Sequence, residues 1–233
     1  MRIWDIHPGY LNRQSLLGEH RELHGLVSIL INGKKGYSKH PETLRWIGYG
    51  WALKQRHQEL VCEMNLRGYQ DKSPVKTKTN KWAWPSIYID EPFTQFELLR
   101  GKYKNKEEGR IPLPSNVQEL WSQHKYSVLA RDQNKYKEIG LKVSYKDTSF
   151  ECLSLELVKT LRTPPGEGGI RNALQHMWGY VSEVQNANND GNIESWSLQK
   201  LLTITQENAI KSNEPYLTKS TALSELMVWL EQA

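Results

Sequence analysis

Residues 1–30 read MRIWDIHPGYLNRQSLLGEHRELHGLVSIL, and this stretch sets the fold expected of the chain. Beyond a Pro8-Gly9 turn, Leu16, His20 (as a neutral ring), Leu23, Val27 and Leu30 recur at the spacing of a helix buried on one side. The helix is expected from Leu11 to about Ile31 and ends at Asn32-Gly33, residues that accept the left-handed conformation of a helix stop. At about 100° per residue, Ser15, Gly18, Glu22 and Gly25 share the opposite side, with Arg21 at its edge. Two glycines on one helix face cost roughly 1 kcal/mol each relative to Ala. Their presence points to the close approach of something else: the N-terminal stretch, another helix, or a nucleic-acid backbone. This helix, whose run includes Glu19 and Glu22, is expected to hold a carboxylate beside the amino terminus.

Downstream, residues 33–40 read GKKGYSKH, a basic glycine-containing loop. Its Lys34, Lys35 and Lys39 suit phosphate neutralisation. A helix is expected from Pro41 to Arg67, with Trp46, Leu53, His57, Leu60, Val61 and Met64 inward. Gly48 and Gly50 are positions where it can bend or break, and Gly68 closes it. His57 reads as a core or boundary histidine. Residues 70–114 are rich in Pro, Lys and aromatics, with a short helix expected at 94–100. Within them KTKTNKWAW sets Trp82 and Trp84 among lysines, a mixture suited to stacking on unpaired bases beside phosphates. A boundary is placed near Pro112–Pro114.

The remainder reads as helices. Ser115 and Gln118 form a capping-box signature opening a helix that closes at Gly140. Others are expected near 147–162, 169–187, 193–212 and 218–231, with Asn188–Gly191 separating the middle pair. No β-run and no internal repeat is visible. The expected class is therefore mainly α: residues 1–75 as one helical domain, 76–112 as a basic aromatic connection, and 113–233 as a second helical domain.

Charge is uneven. Residues 1–114 carry 19 Lys and Arg against 12 Asp and Glu, whereas the rest carry 12 against 14. A basic first half favours a polyanionic partner. Cys62 and Cys152 lie far apart, without disulfide or zinc-type spacing. No metal and no organic cofactor is expected. There is no bilayer-length apolar run and no signal-peptide pattern, so an intracellular, cytoplasmic protein without a membrane partner is expected, associated with the nucleoid when on DNA. Walker, dinucleotide, His-Glu-x-x-His and zinc-deaminase motifs are missing.

Met1-Arg2-Ile3, followed by Leu16-Leu17-Gly18-Glu19-His20-Arg21-Glu22-Leu23, resembles the pyrimidine-dimer DNA glycosylases, the phage UV-endonuclease family. The similarity resumes at Arg56-His57-Gln58-Glu59-Leu60-Val61-Cys62-Glu63 and ends near Arg67-Gly68-Tyr69. Residues about 113–233 look like the YbgA-like helical domain, on His124-Lys125-Tyr126, Asn172-Ala173-Leu174-Gln175-His176 and Gly179-Tyr180. That second likeness implies a helical fold and no particular reaction.

The glycosylase resemblance implies an all-α fold, double-stranded DNA with UV photoproducts as partner, and combined glycosylase and AP-lyase action. It implies the backbone α-amine as nucleophile, here on Met1, assisted by Glu22, with Arg2 and Arg21 on DNA. The family exposes a threonine by removing methionine. Here Met1 aligns with that threonine, and the bulky Arg2 is expected to keep Met1 in place. Ser15 and Gly25 stand where the family has a histidine and an arginine. An α-amine suits the role, since its reference pKa near 7.7–8.0 leaves roughly a tenth neutral at pH 7, against about 10.4 for Lys. Two other readings remain open from the sequence. One is a non-catalytic nucleic-acid-binding module. The other is an enzyme acting on a nucleobase or nucleoside, with its site in the second half, where His124 and His176 could face each other.

Overall fold

The computed structural model describes residues 1–184 and 193–230. The expected separator at Asn188–Gly191 lies outside them. Among the described residues there are helices and no strands. The chain divides into two compact units, Met1–Gly109 and Arg110–Ala233. No described helix is long and apolar enough to cross a membrane.

In the first unit, α1 (Arg13–Asn32) is the long amphipathic helix. Asn12 caps its start, its side chain accepting from Ser15 N, and Gly33 ends it at φ +61°. Leu16, Leu23, Leu26 and Val27 are buried along it, facing α3. The single helix expected over 41–67 is instead two, α2 (Pro41–Arg45) and α3 (Gly50–Leu66). The break falls at Gly48, whose φ of +86° is a conformation that costs glycine least. Pro92 opens α4 (Pro92–Tyr103), which extends beyond the short helix expected at 94–100 because Gln95, Phe96, Leu99 and Tyr103 give it a buried face.

The second unit is arranged around α5 (Val117–Leu129), which packs against α6 (Gln133–Ser144), α7 (Phe150–Leu161) and α8 (Glu167–Trp178). The remaining helices are α9 (Leu198–Ser212), α10 (Pro215–Thr218) and α11 (Ala222–Leu230). Two expectations are corrected here. The helix expected over 115–140 is broken at residues 130–132, because Asp132 caps a new helix by accepting from Asn134 N and Lys135 N. Gly140 therefore lies inside α6. The capping box is shifted by one residue: Asn116 accepts from Glu119 N, and Glu119 Oε2 accepts from Ser115 N.

Candidate nucleic-acid interface and active site

Residues 1–7 are extended but pair with no strand. Backbone groups left inside a protein need partners, and here side chains from four helices supply them. Glu22 Oε2 on α1 accepts from Arg2 N at 2.5 Å, and Glu19 Oε1, one turn earlier, accepts from Trp4 N at 3.1 Å. Gln95 Oε1 on α4 accepts from Asp5 N at 2.8 Å. Arg45 on α2 donates to Ile3 O at 3.2 Å, and Arg56 on α3 donates to Ile6 O at 3.0 Å. Ile3 and Ile6 are sunk in the core, which sets the register of the segment.

The clamping residues are themselves paired. Arg56 meets Glu19 through two bonds, Nε to Oε1 at 2.8 Å and Nη2 to Oε2 at 3.0 Å. Burial pushes the Glu19 carboxyl up to about 7, against the opposing pull of the Arg56 guanidinium. Arg45 pairs with Asp5 at 2.7 Å and Glu42 at 2.9 Å, all three side chains being nearly inaccessible. Leaving such a charge without its partner costs about 3–5 kcal/mol, so these groups fix the segment in one place.

The result is a cleft of about 330 Å³ at the start of the chain, lined by Arg2, Trp4, Gly18, Glu19, Glu22, Leu98 and Lys102, among others. The α-amine of Met1 is one residue from Arg2 N, hence about 3–4 Å from that nitrogen by covalent geometry. Gly18 and Gly25 show no packed neighbour: a Cβ built on either meets nothing within 4 Å. Neither the N-terminal stretch nor a helix crowds them, and the open space at Gly18 belongs to the cleft. A second groove of about 780 Å³, lined by Arg13, Leu17, Arg21 and Lys106 among others, shares Gln14 and Gly18 with the first.

The other residues singled out from the sequence are distributed more widely. Arg2 is half-buried, ion-paired with Asp90 at 2.6 Å and stacked over Trp4. Arg21 is exposed beside the second groove. Lys34, Lys35 and Lys39 are exposed beyond the end of α1, about 16 Å along the helix from Glu22. Trp82 is 51% exposed, tilted against Trp51 at 4.8 Å with Lys81 over its ring. Trp84 is half-buried between Trp46 and Trp51. In the other unit, His124 is buried with Nδ1 against Leu120 O, while His176 is at the surface.

Sequence reasoning missed several residues. Glu19, Arg45 and Gln95 act through backbone contacts that no spacing reveals, and Lys102 arrives from α4. It also missed a side-chain cluster on another face of α1. His20, His24, His57 and Asp71 bring four ligand atoms within 4.8 Å of one another. Burial lowers the pKa of His24, and lowers that of His57 to about 4. His20 and His24 at i, i+4 were the available signal, while Asp71 carried none.

The amino-terminal stretch thus borders a cleft that holds the Glu19 and Glu22 carboxylates with Arg2 and Lys102 among its lining residues. The comparisons are more specific. Residues 1–77 match the family model described as pyrimidine dimer DNA glycosylase, and residues 125–226 match that of a protein of unknown function, DUF1722. No curated protein and no solved structure matches the chain.

Proposed function

We propose that the first unit is a DNA glycosylase with AP-lyase activity on UV-induced pyrimidine dimers in duplex DNA. The observation that carries this reading is the 2.5 Å bond from Arg2 N to Glu22 Oε2, which tethers the start of the chain to a carboxylate in an open cleft. The family match of residues 1–77 supports it.

The neutral Met1 amine attacks the sugar carbon bearing the damaged base. The N-glycosidic bond breaks, its electron pair leaves with the base, and a proton is lost from the amine nitrogen. Glu22 stabilises the positive charge that develops on the sugar and passes protons. The sugar ring then opens: the C1′–O4′ bond breaks, O4′ takes a proton, and the nitrogen lone pair forms the imine, which acidifies the neighbouring sugar proton, whose removal expels the 3′ phosphate. Water then releases the cut strand. This route calls for no organic cofactor. A damaged, weakened pair lowers the cost of extruding a nucleotide to reach the cleft. Arg2, Arg21, Lys34, Lys35 and Lys39 serve the phosphates. Trp82 offers an exposed ring face to a base, with Trp84 supporting it from inside.

Borohydride trapping tests the reading. The full chain is expected to become covalently attached to duplex DNA carrying either a cyclobutane dimer or an abasic site, and selective acetylation of the α-amine is expected to abolish both adducts. An adduct with abasic DNA alone removes the dimer as substrate. No adduct from folded, unblocked protein leaves a non-catalytic binding module.

A further inference from the structure

The cluster on the far side of α1 gathers the side-chain types that ligate metals. His20 Nε2 and Asp71 Oδ1 are 3.1 Å apart, His24 Nε2 and His20 Nε2 3.3 Å, and His57 Nε2 and His24 Nε2 3.2 Å. Asp71 Oδ2 lies 3.7 Å from His57 Nε2. A tetrahedral ion bound at about 2.0–2.1 Å sets its ligand atoms about 3.3–3.4 Å apart, close to the three shortest of these spacings, and all four ligand atoms lie within 4.8 Å of one another.

The three Nε2 atoms turn toward one another and toward the Asp71 carboxylate, so all four groups can present lone pairs to an ion at the centre.

We propose that His20, His24, His57 and Asp71 bind a structural Zn²⁺ ion. Three imidazoles and one carboxylate suit zinc and disfavour magnesium or calcium, which take oxygen ligands. Four protein ligands close a tetrahedral shell, the mark of a structural rather than a catalytic ion. Ser73 N donates to Asp71 Oδ1 at 3.0 Å and orients that ligand from behind. The ion would join α1, α3 and the segment after α3. Glu22 is two residues from each α1 ligand, about 200° around the helix, so the ion braces the helix that carries Glu22 from its opposite side. The proposal stands apart from the glycosylase reading and does not need it.

The test uses the untagged full chain, stripped with chelator, reloaded with zinc or cobalt(II), and desalted. About one equivalent of zinc per chain is expected by elemental analysis, and cobalt is expected to give the intense visible bands of tetrahedral coordination. His24→Gln, at a half-buried position, is expected to weaken zinc binding at least tenfold, and His176→Ala to leave it unchanged. Chelation is expected to lower the thermal midpoint of wild type, with recovery on adding zinc. Less than a tenth of an equivalent retained by folded wild type overturns the proposal, as does a weak octahedral cobalt spectrum. So does unchanged binding by His24→Gln. The wild-type cobalt spectrum decides the matter even where a variant fails to fold.

Discussion

Two buried ion pairs, one in each unit, show what burying charge achieves in this molecule. In the second unit Arg131 pairs with Glu225 through two bonds, at 2.9 and 3.0 Å, and donates to Ser127 O, Leu161 O and Thr163 O. Those carbonyls lie near the C-terminal ends of α5 and α7, which lack intrahelical donors, so the pair ties helix ends together. In the first unit Arg56 and Glu19 form a similar two-bond pair, but they also hold Ile6 O and Trp4 N. There the charges position an extended chain terminus over a cleft. Similar chemistry thus serves packing in one unit and site construction in the other.

The largest difference is expected at Glu22. Glu22→Gln should lower strand cleavage by about 10²–10⁴-fold with an unfolding midpoint close to wild type, since Glu22 is exposed. No such separation of activity from stability is expected in the second unit. Next come the two arginines. Arg56→Ala and Arg131→Ala should each cost about 3–5 kcal/mol in denaturant unfolding. Only Arg56→Ala should also depress imine trapping at temperatures where the protein remains folded. Equal trapping by both would dissolve the contrast.

Histidine gives the third comparison. Burial lowers His124 to about 4, against the smaller opposing pulls of Leu120 O and Glu225. Below pH 6.5 the unfolded chain takes up a proton that the folded chain refuses. Stability is therefore lost as pH falls from 6.5 to about 4, by roughly 3 kcal/mol at most. His124→Gln should flatten the pH dependence of the urea midpoint across that window. The smallest effect concerns Gly18. Gly18→Ala should raise helix stability by about 1 kcal/mol, because a Cβ there meets nothing within 4 Å, while weakening DNA binding by filling the cleft. Gly25→Ala should stabilise equally without affecting binding.

Much of α1 is legible in the sequence because its apolar spacing, Asn32-Gly33 stop and glycine-bearing face are local features. The pairing of Met1 with Glu22 came through family resemblance; the contact the structure holds at Glu22 is the bond from Arg2 N. The break at residues 130–132 was passed over, although Arg131-Asp132-Gln133-Asn134-Lys135 interrupts the apolar pattern and Asp132 is a residue type that caps a new helix. The burial of Glu19 had no local signal, because its partner Arg56 lies 37 residues away. Asp71 lacked any signal, since its three imidazole neighbours come from two helices that pair only in the fold.

The most direct measurement maps the borohydride-reduced adduct by peptide mass spectrometry. Lys102 lines the same cleft and is the natural competitor for the amine's role. The sugar remnant is expected on the α-nitrogen of Met1, in the N-terminal peptide. A remnant on Lys102, or on any other lysine, would contradict the account.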